Sequence, residues 1–175
     1  MIYFAQPTNG GPIRIGASEG MNARRRTLGT WLPGGVEVIL EITGSFLGEA
    51  VLHHCFNPIR IERDWFRSCD VIWRFVLDAK TKRQQWIPVD KGPAIRIDRS
   101  EFISEFGDID TAASVLGYKS VLQFETALKW QTGAGYSLSS KMAFIKLLKA
   151  GRLPKYISDL HKDFLPVSAG VEVAA

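Results

Sequence analysis

The sequence predicts an α/β protein. A small three-stranded, mainly antiparallel sheet flanked by helices is expected over residues 1–78, followed by a mainly α-helical C-terminal region. Three observations carry this. Short alternating or β-rich runs are interleaved with helical patterns up to residue 78, only helical patterns follow residue 98, and charge is distributed differently in the segment between.

The elements follow in order. "MIYFA" and "GPIRIG" read as two strands joined by "QPTNGG", whose Pro and Asn-Gly-Gly cluster suits a turn. "NARRRTL" reads as a short helix capped by Asn22. "VEVILEIT" alternates Val36, Val38, Leu40 and Ile42 against Glu37, Ile39 and Glu41, which predicts a strand with one buried face. Ser45 is placed to cap a helix running through Phe56, and Asp70 to open another through Leu77. Beyond the basic segment, helices are expected at 99–106, 109–117, 119–131 and 137–150, with "GRLP" as the stop and 166–175 as a flexible tail. The expected organisation is a domain at 1–78, a basic linker at 79–97 and a helical domain at 98–165.

The chain of 175 residues has 46% hydrophobic and 23% charged residues, the balance of an ordinary globular protein. No run reaches the roughly 18 apolar residues of a membrane span, and the start carries no basic-then-apolar leader. Cys55 and Cys69 lie in apolar context without metal or redox spacing, so reduced thiols and a cytoplasmic location are expected.

The net charge of +4 is localised. Residues 1–78 hold eight cations, all Arg, against eight anions, and residues 98–175 hold nine of each. The excess lies in 79–97, "AKTKRQQWIPVDKGPAIRI", with five cations, one anion and Trp86. Such a strip is either a solvated connector or a phosphate-backbone contact. Candidate nucleic-acid contacts are Arg14, Arg25, Arg26 and Arg60, then Lys80, Lys82 and Arg83, then Lys119 and Lys129.

The stretch "LGEAVLHHCFNPIRIERDWF", residues 47–66, poses a chemical question. Its helical part is apolar on most of its surface, yet Glu49 and His53 share one side a single turn apart, with His54 adjacent. A carboxylate there costs free energy unless it is paired or binds something. Taken alone, the residues allow an i, i+4 Glu–His pair satisfied by a nearby Arg, or a ligand site.

In order and spacing, five short motifs resemble the GIY-YIG nuclease superfamily, in its phage and bacterial branch. They are "IYF" (2–4), "IRIG" (13–16), "RRRTLGT" (24–30, with Pro33 following), "GEAVLHHCF" (48–56) and "RIERDWF" (60–66). The resemblance covers residues 1–77 and implies a metal-dependent DNA endonuclease. It implies that Tyr3 positions or deprotonates the attacking water, that Arg24 stabilises charge on the scissile phosphate, and that Glu49 holds a single Mg²⁺ or Mn²⁺. His53 corresponds to a branch-specific histidine beside that glutamate. Phosphodiester hydrolysis suits these residue types, since a metal and an Arg stabilise charge on the phosphate oxygens. The chain departs from the pattern at four places, the first being the absence of a Gly before "IY". Arg14 stands where the second signature tyrosine belongs, Ala17 replaces a frequent aromatic or hydroxyl residue, and Arg63 replaces a Gly in a loop. Trp65–Phe66 reads as a core plug.

Residues 112–133, "AASVLGYKSVLQFETALKWQTG", resemble the helix-turn-helix of AraC-type regulators through Leu116, Gly117, Tyr118, Ser120, Phe124, Ala127, Lys129 and Gly133. Gly117 would end one helix, Ser120 cap the next, and Val121, Phe124 and Leu128 form its buried stripe. Lys119, Gln123, Glu125 and Lys129 are a thin set for reading base edges. The helical part is therefore a DNA-docking unit, a module for a protein partner or homodimer, or a cap on the first domain. Two functions stand: a DNA endonuclease with a helical targeting module, or a catalytically silent DNA-binding or protein-interaction factor of phage or mobile-element type.

Overall fold

The computed structural model of the chain describes residues 1–30, 34–81, 87, 99–129 and 131–164; the side chains at 129, 131–137, 139, 163 and 164 lie outside it. Five strands and eight α-helices make up the described structure. In chain order the first part runs β1 (Ile2–Pro7), β2 (Ile13–Ala17), α1 (Met21–Leu28), β3 (Val36–Ile42), α2 (Phe46–Cys55), a 3-10 turn (Asn57–Ile59), β4 (Arg60–Glu62), β5 (Trp65–Phe66) and α3 (Asp70–Thr81). Then come α4 (Arg99–Phe106), α5 (Ile109–Val115), α6 (Val121–Lys129), α7 (Gln131–Lys149), α8 (Lys155–Ser158) and a 3-10 segment (Asp159–Phe164).

The α/β class is as expected, but the sheet has five antiparallel strands in the order β3-β1-β2-β5-β4 where three were predicted. The two extra strands come from "RIERDWF". They span three and two residues, too short for alternation to register, and exist because Ile13 and Arg14 of β2 offer an edge to Phe66 and Trp65. Phe66 is fully buried, so it is a core residue as well as a strand residue.

A bulge corrects a second expectation. Phe4 pairs with Leu40 and Ala5 with Val38, so Ile39 is an extra residue in β3. The side-chain alternation therefore switches face there. Leu40 and Ile42 join the main core, whereas Val36 and Val38 pack with Tyr3, Ala5 and Leu28 on the opposite face. The predicted cap of α1 also moves. Gly20 is its N-cap, without a side-chain hydrogen bond, and Asn22 lies inside the helix.

The Ser45 cap of α2 is present, with Gly48 N donating to its Oγ at 3.2 Å. In the helical half, Gly117 adopts φ 78° after α5, and Tyr118 N reaches back to Ala113 O at 2.9 Å. Ser120 caps α6 through Gln123 N, and Phe124 is fully buried against Phe102. α7 begins at Gln131 instead of 137. Gly133 and Gly135 weaken the local helix signal but lie inside the helix all the same.

The core explains why α2 is so apolar. One face meets β1 and β2, the other meets α7, and one continuous cluster of buried side chains runs from Ile2 to Ile157. Phe56 lies within ring-contact distance of Phe4, Phe66 and Phe75. His54 meets Ser140 of α7 at 3.0 Å, His161 donates to Cys55 O at 2.8 Å, and Arg74 of α3 sits over Tyr156 of α8. The first three residues of the basic strip, 79–81, complete α3, and Ile87 is buried in the shared core. The rest of the strip (including Lys82, Arg83 and Trp86), Pro33, the Lys129 side chain and the tail lie outside the described residues. Cys55 and Cys69 are free thiols. No helix among the described residues is long and apolar enough to cross a membrane.

Candidate functional site

β2 outruns its neighbour β5, which pairs only with Ile13 and Arg14. Past that point the strand edge would present unpaired backbone groups. Asp64 O takes the Ile15 N–H at 3.0 Å. His53 Nε2 then lies 3.1 Å from Ile15 O, and the Ala17 N–H donates to the Glu49 carboxylate. Ile15 and Ala17 are two residues apart on a strand, about 6.6 Å, while Glu49 and His53 are four apart on a helix, about 6 Å. The i, i+4 pair on α2 therefore matches the i, i+2 edge of β2. This is the local reason that an apolar helix carries two polar residues on one side.

The same contact sets the electrostatics. Because a carbonyl only accepts, His53 Nε2 carries the proton in this bond. Burial lowers the His53 pKa and so disfavours the charged ring, and Glu49 Oε1 lies 4.0 Å from Nε2. Burial, reinforced by the Asp64 charge, raises Glu49 from 4.5 to about 7. The Ala17 N–H and the guanidinium groups of Arg14 and Arg24 pull the other way without cancelling burial.

Arg24 lies on α1, and its Nε donates to the Tyr3 hydroxyl at 2.8 Å. Tyr3 is fully buried, packed with Ala5 and Leu28, with its ring over Gly16 of the neighbouring strand. A Cβ at Gly16 would fall onto the Tyr3 phenol, 2.5 Å from Cζ, so this glycine makes room for the ring. The buried phenol faces Arg24, which gives it a role in orienting that guanidinium; direct contact with bulk water is closed to it. Arg14 pairs with Asp64 at 2.8 Å and lies over Trp65. Arg63 adopts φ 47°, a conformation that glycine takes more readily.

Tyr3 and Arg24 are thus in direct contact, Glu49 and His53 flank the same end of β2, and the Glu49 carboxylate feels both Arg24 and Arg14. Comparison with protein-family models, curated proteins and solved structures finds no match to this chain.

The other predicted contacts are scattered. Arg25 holds Glu41, and Arg60 donates to His53 O and covers Phe66. Arg26, Lys80 and Lys119 are exposed. The sequence reading missed Asp64, which touches the site through both Arg14 and the Ile15 N–H. Its signal was the acidic position of the closing motif.

Among the described residues no group of three or more His, Cys, Asp or Glu forms a metal cage. A lone carboxylate is still compatible with Mg²⁺, which keeps several waters and commonly uses one or two protein carboxylates. Glu49 fits that requirement, as a burial-strained carboxylate that a cation would stabilise.

Proposed function

We propose that this protein is a metal-dependent DNA endonuclease of GIY-YIG type, hydrolysing phosphodiester bonds, with its helical half as a targeting module. One observation carries the reading. An amide at residue 49 would serve the β2 edge without charge, yet the chain keeps a carboxylate where burial raises its pKa to about 7, facing two guanidiniums. Strained carboxylates beside arginines cluster at reaction centres.

In this mechanism Arg24, oriented by Tyr3, stabilises negative charge developing on the phosphate. Glu49 would hold the Mg²⁺ or Mn²⁺, and that cation would supply Lewis-acid stabilisation of charge on the phosphate. His53 fixes the β2 edge and with it the position of Glu49. Arg14, paired with Asp64, adds positive charge to the same side of Glu49.

Supercoiled plasmid incubated with Mg²⁺ or Mn²⁺ should be nicked or linearised by the wild type and left intact by Glu49→Ala. Plasmid untouched by well-folded wild type would favour the second reading, a catalytically silent DNA-binding or protein-interaction factor. The burial of Tyr3 favours that second reading, as does the use of Glu49 and His53 as edge caps.

The helical half makes a similar choice. Gln123 Oε1 accepts from Lys119 N, so a base-reading candidate is engaged as a cap, while Leu122 is 75% exposed on the same helix. With Gln123 engaged, few side chains of this helix remain to read base edges. DNA affinity then rests on the basic strip. Changing Lys80, Lys82 and Arg83 together to Gln should weaken duplex binding most at low salt. It should also flatten the slope of log affinity against log salt by up to about three units. An unchanged slope would make the strip a solvated connector.

A further inference from the structure

A cleft of about 470 Å³ opens where α2, α5, α7 and the 3-10 segment Asp159–Phe164 meet, and none of Tyr3, Arg24, Glu49 or His53 lines it. Its size falls in the range of small-molecule sites. The wall is apolar, including Leu116, Phe144 and Ile145, and no carboxylate is among the described residues lining it. The polar groups on it are instead cationic or hydrogen-bonding. Lys141 Nζ donates to Leu116 O at 2.6 Å and sits 5.1 Å from the Tyr118 ring centre. An ammonium has three N–H groups, so one carbonyl does not exhaust it. His54 and His161 flank Phe144, with ring centres 6.0 and 4.8 Å away. Lys141 and Arg60 both place positive charge near His54.

An aromatic wall beside a half-buried ammonium, with no carboxylate among the described lining residues, has a definite complement. We propose that this cleft binds a small aromatic carboxylate, its ring against Phe144 and the two imidazoles and its carboxylate on Lys141. A cation of the same shape is rejected by Lys141. A neutral isostere gains the apolar contact and loses the charge-assisted hydrogen bond. The site is independent of the nuclease reading, because it uses none of that site's residues.

The probe is naphthoate, titrated into the full chain by calorimetry and by amide NMR, with neutral naphthamide as the matched control. Naphthoate should bind about tenfold or more tightly than naphthamide, the equivalent of one charged hydrogen bond. The shifted amides should include Leu116 and Gly117. Lys141→Met should erase the preference while weak binding of both compounds persists. Asn57→Trp, a change at an exposed residue on the cleft rim, should block both compounds, and it keeps the test decisive if Lys141→Met fails to fold. The proposal is overturned if naphthoate does not bind, if naphthamide binds equally well, or if Asn57→Trp leaves naphthoate binding unchanged.

Discussion

Glu49→Gln is expected to abolish metal-dependent cleavage while making the protein more stable above pH 7. The two effects have one cause. Burial lifts Glu49 from 4.5 to about 7, so between those pH values the folded protein holds a proton that the unfolded chain has lost. The contribution of this group to stability is therefore full below pH 4.5 and falls as pH rises through about 7. Gln keeps an oxygen for the Ala17 N–H and carries no charge, so it escapes that penalty. The variant should gain about 1–3 kcal/mol over wild type at pH 8, and the gain should vanish near pH 4.5. On the proposed nuclease reading cleavage uses the carboxylate, so its loss should lower the rate on the order of a thousandfold, with duplex affinity retained. Wild-type activity should rise with pH toward about 7 as the carboxylate ionises. Mg²⁺ should stabilise the wild type, through mass action, and not the variant. Urea melts at several pH values, with and without Mg²⁺, together with a nicking assay, read all of this. Full nicking activity in the variant would remove Glu49 from the chemistry. Lower stability at pH 8 would mean that Arg14 and Arg24 outweigh burial.

Phe56→Ala should have the largest effect on folding. The ring is fully buried and meets Phe4 of the sheet, Phe66 of the short β5 and Phe75 of α3. Truncation leaves a cavity at the point where three elements converge, at a cost of about 3–5 kcal/mol. For a chain of this length that is a fall in Tm of roughly 10 °C. The shape of the transition is equally informative. Because buried residues from Ile2 to Ile157 form one cluster and α2 lies between the sheet and α7, melting should remain a single step that shifts as a whole. Differential scanning calorimetry that showed an unshifted second transition would establish that the helical half folds on its own.

What the sequence determined by itself was local. Ser45 and Ser120 start helices through side-chain caps, Gly117 ends one in a left-handed conformation, and the glycine-rich stretch after Pro7 turns the chain between β1 and β2. Each signal acts within a few residues, so it is readable from a short window. The convergence of Tyr3, Arg24 and Glu49 was legible only as motif order, since it depends on β1, α1 and α2 meeting at one end of β2. The remaining features were decided by tertiary structure. β4 and β5 are strands because β2 has an open edge for them, and Ile39 bulges because β1 sets the register, sending Val36 and Val38 to the face opposite Leu40. Tyr3 is enclosed because α1 lays Leu28 and Arg24 over it. Glu49 and His53 acquired their double character in the same way. Their spacing was visible in the sequence, but the strand edge that it matches came from residues more than thirty positions away, brought there by the packing of α2 on the sheet.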